Sequence, residues 1–281
     1  MEFPFDFRMR TPRGDLGRAV ASVWYARGTI PYRREKVAPT GSTVAVIVLG
    51  DPIVETAGDP HAVPFRAATG FLIGPHDRPV TNAPTGETFA VGIVTTPVGA
   101  RAALGIDAAG IAGQVVDLLA TWAPSRALRE TLLAIADDPE AMIDLVVSKL
   151  ASDLSLDVPG LERCELAVAI LAADPTRPIA SVASELGVSH GHLDREFRRI
   201  VGMSPRRLAR LLRLERLLTA IDVQANVPWA DLAAELGWTD QSHLIRDFRR
   251  HTGATPSAYL ATRRSFPSTD SESARFVPEA M

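Results

Sequence analysis

An internal duplication limits this chain more than any other feature of its 281 residues. Pro178 aligns with Pro228, Ala183 with Ala233, Glu185 with Glu235, Leu186 with Leu236 and Gly187 with Gly237, all at an offset of 50. One residue is then inserted and the offset becomes 51. Leu193 now aligns with Leu244, Arg195 with Arg246, Phe197 with Phe248, Gly202 with Gly253 and Pro205 with Pro256. A unit written twice in this way folds twice, with the same turn and the same buried face.

Each copy reads as two helices joined by a tight turn. Ile179–Leu186 and Trp229–Leu236 form the short first helices, and small Ala183 and Ala233 allow a second helix to cross closely. Gly187 and Gly237 stand where the chain needs a left-handed residue. Ser189, and Thr239 or Asp240, are suited to cap the next helix. Leu193 with Phe197, and Leu244 with Phe248, lie four apart and bury one face, which leaves the polar face free for a major groove. Between the copies, Pro205 to Ile221 is a helix with Leu208, Leu211, Leu212 and Leu218 on one side. Its other side carries Arg206, Arg210, Arg213 and Arg216, read either as a solvated face paired with Glu215 and nearby acids or as phosphate contacts.

The run Asp231-Leu232-Ala233-Ala234-Glu235-Leu236-Gly237-Trp238-Thr239-Asp240-Gln241-Ser242-His243-Leu244-Ile245-Arg246-Asp247-Phe248-Arg249-Arg250, with Gly253, Thr255-Pro256 and Tyr259, resembles the signature of AraC/XylS-type transcriptional regulators. The resemblance covers about residues 160–263. It implies two helix-turn-helix motifs on one rigid helix, binding adjacent major-groove segments about 34 Å apart. Carried over by position, the DNA-contacting residues are Ser189, His190, Gly191, Asp194 and Arg195 in the first copy. In the second they are Asp240, Gln241, Ser242, His243, Ile245 and Arg246. Arg195 and Arg246 suit guanine and Gln241 suits adenine. Gly191 offers no side chain, and Asp194 is an acid facing an acidic polymer, so the first copy is the weaker reader. Asp240 and Asp247 read as a cap and a solvent-side acid. His190, His192 and His243 read as surface hydrogen-bonding groups.

Charge is distributed unevenly along the chain. The net charge is −3. Residues 1–159 hold 14 basic and 18 acidic side chains, residues 160–264 hold 15 and 12, and residues 265–281 hold 1 and 3. All basic residues of the middle block are arginines. Taken whole, the composition argues against a nucleic-acid binder, but the average hides a basic module between acidic parts.

The first hundred residues contain short apolar runs at 43–49, 70–74 and 88–94, separated by Gly and Pro. They predict a small β-sandwich or barrel, and Asp15–Tyr25 fits helix or strand. This part more loosely resembles the cupin-like sensor domains that precede AraC-type modules, through the Gly74–Pro79 turn and Leu104-Gly105-Ile106. Three amphipathic helices follow. One is capped by Asp107 with a stripe Ile111, Val115, Leu118, Leu119 and Trp122. The second carries Leu128, Leu132 and Ile135, and the third starts at Asp138-Pro139. The expected class is α+β multidomain. It comprises a cupin-like β domain at 1–103, a helical dimerisation or packing segment at 104–157, an all-α double helix-turn-helix domain at 158–264 and a disordered tail at 265–281.

Other classes find little support. Only His61 and His76 occur in residues 1–159, without metal-ligand spacing, and no glycine-rich nucleotide loop appears. Cys164, the single cysteine, reads as buried core. Neither a membrane span nor a secretory signal is visible, so a cytoplasmic protein without enzyme activity, metal or cofactor is expected. The expected partners are double-stranded promoter DNA, a small-molecule effector, RNA polymerase and a second copy of the chain. Trp24, Tyr32, Phe71 and Phe89 are the candidate ligand-pocket residues, with Tyr25 and Phe65 beside them, and each is equally readable as core. A deep cavity would favour ligand sensing. A filled sandwich with an exposed stripe at Ile111–Trp122 would favour dimerisation or a protein partner alone.

Overall fold

Short β-branched runs punctuated by turns build two antiparallel sheets in the N-terminal part. The computed structural model describes residues 5–30, 32–266 and 275–279. In chain order the first elements are β1 (Asp6–Arg10), α1 (Gly14–Ala19), β2 (Val20–Gly28), β3 (Arg34–Val37), β4 (Val44–Val48), β5 (Ile53–Thr56), β6 (Phe65–Ala67), β7 (Gly70–Ile73), β8 (Val80–Pro84) and β9 (Thr88–Thr95). They continue as α2 (Gly99–Leu104), β10 (Val115–Asp117), α3 (Leu118–Thr121), α4 (Ser125–Ala134) and α5 (Pro139–Asp153). The C-terminal helices are α6 (Leu161–Ala173), α7 (Ile179–Glu185), α8 (His190–Val201), α9 (Pro205–Ala220), α10 (Trp229–Glu235), α11 (Gln241–Thr252) and α12 (Pro256–Ser265), followed by β11 (Phe276–Glu279).

One sheet runs β1-β2-β9-β4-β7-β10 and the other β11-β3-β8-β5-β6. Strand alternation sends residues to opposite faces. Val46, Val48, Phe71, Ile73 and Ala90 of the first sheet pack on Ile53, Ala67 and Val80 of the second. The other face of the first sheet, with Val23, Tyr25, Ile47, Leu72, Phe89 and Val91, packs under α2 and α5 through Leu104, Met142, Val146 and Leu150. Trp24 and Phe71 therefore belong to the layer between the sheets, whereas Phe89 lies on the far side beneath helices.

Two sequence expectations are corrected here. The helix expected from Asp107 to Trp122 does not form. Residues 108–113 make turns, Gly113 sits at φ +74°, and Val115–Asp117 pairs with β7 as β10. Gly110 and Gly113 interrupt the helix, and β-branched Val115 and Val116 complete an open sheet edge. Leu118 and Trp122 are buried, so the exposed stripe that would have favoured dimerisation or a protein partner alone does not form there. The expected disordered tail is the second correction: Phe276–Glu279 pairs with β3, and Val277 is buried. The remainder of that tail, residues 267–274 and 280–281, lies outside the described residues.

The helix at Asp15–Tyr25 lasts one turn and a half before the chain becomes β2. Helix α5 starts as its sequence indicates, with Asp138 accepting from Ala141 N and Pro139 in the first turn. Helix α9 is shared between two cores. Leu208 and Leu211 join the core that runs from the first sheet through α6–α8, while Leu214, Leu217 and Leu218 belong to the core of α10–α12.

Candidate nucleic-acid interface

The duplicated sequence folds as two helix-turn-helix units, α7–α8 and α10–α11, on either end of α9. Gly187 (φ +69°) and Gly237 (φ +82°) make the two turns, a region open to glycine without strain. Ser189 accepts from His192 N and Asp240 accepts from His243 N, so each second helix begins at a capped end. Asp240, not Thr239, is the cap; Thr239 Oγ1 instead meets His243 Nδ1 at 2.8 Å. Leu193, Phe197, Leu244 and Phe248 are all fully buried.

Burying these faces leaves the first turns of α8 and α11 pointing outward. His190, Gly191 and Arg195 of α8 are exposed, as are Gln241, Ser242 and Arg246 of α11. Arg195 and Arg246 occupy equivalent positions, and neither guanidinium has a partner among the described residues. Arg195 Nη1 lies 3.6 Å from the point where a Cβ on Gly191 would stand, so the missing side chain gives the arginine room. Asp194 is held by Arg198 at 2.7 Å, which neutralises the acid expected to oppose DNA. Ile245 is half-buried.

The arginine arc of α9 divides into two roles. Arg206 is exposed and Arg210 half-exposed, and neither has a partner among the described residues. Arg213 donates to Gly237 O at 3.0 Å and stacks over Trp238 at 5.3 Å. Arg216 donates to Ala172 O and Ala173 O at the end of α6. Arg213 thus holds the turn carbonyl between α10 and α11 and Arg216 the carbonyls that the end of α6 leaves open, a structural task rather than a phosphate contact. Asp247 is likewise not the solvent-side acid expected: it accepts from Trp238 Nε1 at 3.1 Å and lies 3.5 Å from His243. Cys164 is buried, and burial pushes its thiol up to about 12.

The opposite, C-terminal ends of α8 and α11 are covered by the β domain. Gly202 ends α8 at φ +75°, and a Cβ there would stand 2.7 Å from Ala108 O. Gly253 ends α11 at φ +72°, and a Cβ there would stand 2.7 Å from Lys36 Cδ and 3.1 Å from Pro79 Cγ. Asp77, in the turn between β7 and β8, accepts from Arg250 Nη2 at 2.7 Å and lies 3.8 Å from Arg207. His251 Nδ1 donates to Asp77 O at 2.7 Å, and burial lowers its pKa. A cleft of about 190 Å³ runs along this seam, lined by His76, Asp77, Arg78, Gly202, Met203 and Arg207 among others. In the sequence Asp77 is marked only as an acid between Pro75 and Pro79 in a turn that otherwise signals the fold.

Residues 163–262 match a family described as a helix-turn-helix domain. Residues 8–117 match a family described as a domain of unknown function, DUF6597. No curated protein matches the sequence. Among solved structures, the chain is similar to ToxT from Vibrio cholerae at 12% identity and TM-score 0.46, covering 92% of this chain and 98% of that one. A probable AraC family transcriptional regulator from Rhodopseudomonas palustris is 26% identical at TM-score 0.32, covering 36% of this chain and 95% of that one. An AraC-type DNA-binding domain-containing regulator from Chromobacterium violaceum is 23% identical at TM-score 0.35, covering 38% and 96%. Among the described residues no helix is long and apolar enough to cross a membrane, and no cluster of metal-ligating side chains occurs.

Proposed function

We propose that this AraC-type regulator, whose helix-turn-helix module follows a separate N-terminal β domain, reads promoter DNA with α8 and α11 and is gated by a small molecule bound in the β domain. One observation carries the DNA half of this reading. Two equivalent helix starts are exposed with unpartnered Arg195 and Arg246, while the opposite ends of the same helices are buried. A recognition helix presents its N-terminal residues to base edges, so the exposed ends are the reading ends. Ser189 and Asp240 set the helix starts. His190, Arg195, Gln241, Ser242, His243 and Arg246 read or support bases, and Arg206 and Arg210 meet phosphates.

The gating half rests on the seam. The β domain touches the C-terminal ends of both recognition helices, so a ligand that favours one arrangement of this seam biases how the two helices stand. The test is in-vitro selection of bound DNA followed by a salt titration. Two adjacent half-sites about one turn apart, with affinity falling steeply with salt, are expected. Sequence-independent binding at every salt concentration, or no binding, would overturn the reading.

A second role for the N-terminal part is supported by β1. This edge strand leaves Phe7 and Met9 exposed at 44% and 45%, with Phe5 just before it at 41%. A second copy or a protein partner such as RNA polymerase, seated on that row, would act without a small molecule. Sedimentation of the protein with and without Phe7→Ser separates the roles: loss of a dimer in the variant favours the interaction role.

A further inference from the structure

A polar row crosses the largely apolar layer between the two sheets. Register places Glu35 of β3 opposite Asn82 of β8, and Asn82 opposite Glu55 of β5. Residues directly opposite share a face, and two positions along β8 and β5 the same face carries Val80 and Ile53 of the interior. Two carboxylates and an amide therefore cross the inner face of the second sheet. Glu35 is 7% exposed and Glu55 1% exposed. Residues of this kind are almost never buried so fully unless paired.

Their partners are incomplete in a consistent way. Tyr32 Oη donates to Glu35 Oε2 at 2.6 Å. The Asn82 side chain hydrogen-bonds Glu55, yet Glu55 Oε2 and Asn82 Oδ1 are buried without a further hydrogen-bond partner among the described residues. Both orphan atoms are acceptors, so what the row lacks is donors. The basic neighbours of Glu35 do not supply them: Arg34 and Lys36 lie on the other face of β3, paired with Glu279 of β11. Burial raises Glu35 to about 7, and burial together with Glu35 raises Glu55 well above the usual carboxylate range. Half-buried Trp24 packs on the apolar cluster that contains Ile53 and Val80, with the exposed ring of Phe7 6.3 Å from it.

We propose that the row Glu35–Asn82–Glu55, with Tyr32 and the indole of Trp24, is the binding site of a small organic cation, a protonated amine or guanidinium. The N–H groups of such a cation satisfy Glu55 Oε2 and Asn82 Oδ1, its charge neutralises the buried carboxylates, and its aliphatic part lies against Trp24. The proposal rests on the gating reading above and names its ligand class. The site also has a short route to the DNA-binding module. Lys36, next to Glu35, lies against the end of α11 at Gly253, and the ring of Tyr32 stacks edge-on with Phe266 after α12 at 5.8 Å.

The test uses the full chain at pH 8 with agmatine, guanidinium and n-butylammonium as probes, read by calorimetric titration and by thermal melting. Saturable one-to-one binding of at least one probe is expected, weakened at least about tenfold by Glu55→Gln and by Glu35→Gln. Both variants remove charge without changing shape, and a cooperative melt confirms that each folds. No saturable binding of any probe, equal binding by the variants, or equal binding of n-butanol would overturn the assignment. A wild-type melting temperature that varies with pH, flat in the variants and without probe binding, would also overturn it, because the carboxylates then take a proton instead. DNA affinity is measured on the same samples. DNA binding without probe binding removes this site alone, whereas probe binding without DNA binding supports the site and removes the regulator reading.

Discussion

The carboxylate of Asp77 in the β domain and the guanidinium of Arg250 near the end of α11 are joined at 2.7 Å across the seam of the molecule. Arg207 of α9 approaches the same carboxylate to 3.8 Å. Burial alone would raise Asp77, but the Arg250 hydrogen bond and the charges of Arg250, Arg207 and His251 outweigh it and hold the acid below its ordinary value. One loop residue thus touches both the helix between the units and α11.

Asp77→Ala is expected to lower stability by about 1 kcal/mol, a modest figure because both arginines are partly exposed. It also frees α11 and two arginines, so DNA affinity rises. The acid's folded value is depressed, so its contribution is present above the unfolded carboxylate range and is lost only as pH falls through the folded value. Calorimetry and fluorescence anisotropy of labelled DNA check both effects; an unchanged affinity would show that the seam does not restrain the reader.

Arg246→Ala is expected to cost about 1–3 kcal/mol of binding and to relax preference at one base position, with melting unchanged. Selection of bound sequences measures it. Equal loss on every sequence would make Arg246 a phosphate contact.

Arg213→Ala and Arg216→Ala should behave in the opposite way. The first removes the donor to the turn carbonyl of Gly237 and leaves Trp238 uncovered, and the second removes the donor to the carbonyls ending α6. A stability loss of about 1–2 kcal/mol is expected, with base preference retained. Arg213→Lys should recover little, since a lysine cannot both stack flat and donate sideways. Denaturant melts compared with selected sequences decide the matter.

Glu35 gives a pH signature. Its folded value of about 7 lies above the unfolded 4.5, so the folded state holds the proton more tightly. Stability is then expected to fall by roughly 3 kcal/mol as pH rises from about 4.5 to 7. Glu35→Gln should flatten that part of the profile; urea melts across this range measure it, and an unaltered slope would assign the dependence elsewhere.

Removing residues 267–281 should cost roughly 2 kcal/mol, chiefly the burial of Val277 in the α10–α12 core. It also exposes the edge of β3. Melting and light scattering test this; an unchanged melt would mean that β11 adds nothing to the seam.

Much of the helix-turn-helix half was legible because its signals are local. The left-handed glycines, the caps at Ser189 and Asp240 and the i, i+4 pairs each follow from residues within one or two turns. The stripe from Ile111 to Trp122 misled because apolar spacing alone does not separate a helix from a turn followed by an edge strand. Pairing of Val115 with Ile73 across the sheet decided it. The role of Asp247, and the choice between the two readings for Arg213 and Arg216, were out of reach for a related reason. Their partners, Trp238 Nε1, Gly237 O and the end of α6, come together only when helices cross.

By itself the sequence determined a duplicated helix-turn-helix module joined to a β domain, since periodicity, caps and turn residues act over short stretches of chain. Only the tertiary structure decided which arginines are free and which are structural, and that the C-terminal strand closes onto β3. It alone set Asp77 on Arg250, and Glu35 and Glu55 on either side of Asn82. Each of these is a long-range pairing, chosen by packing between elements that no local pattern connects.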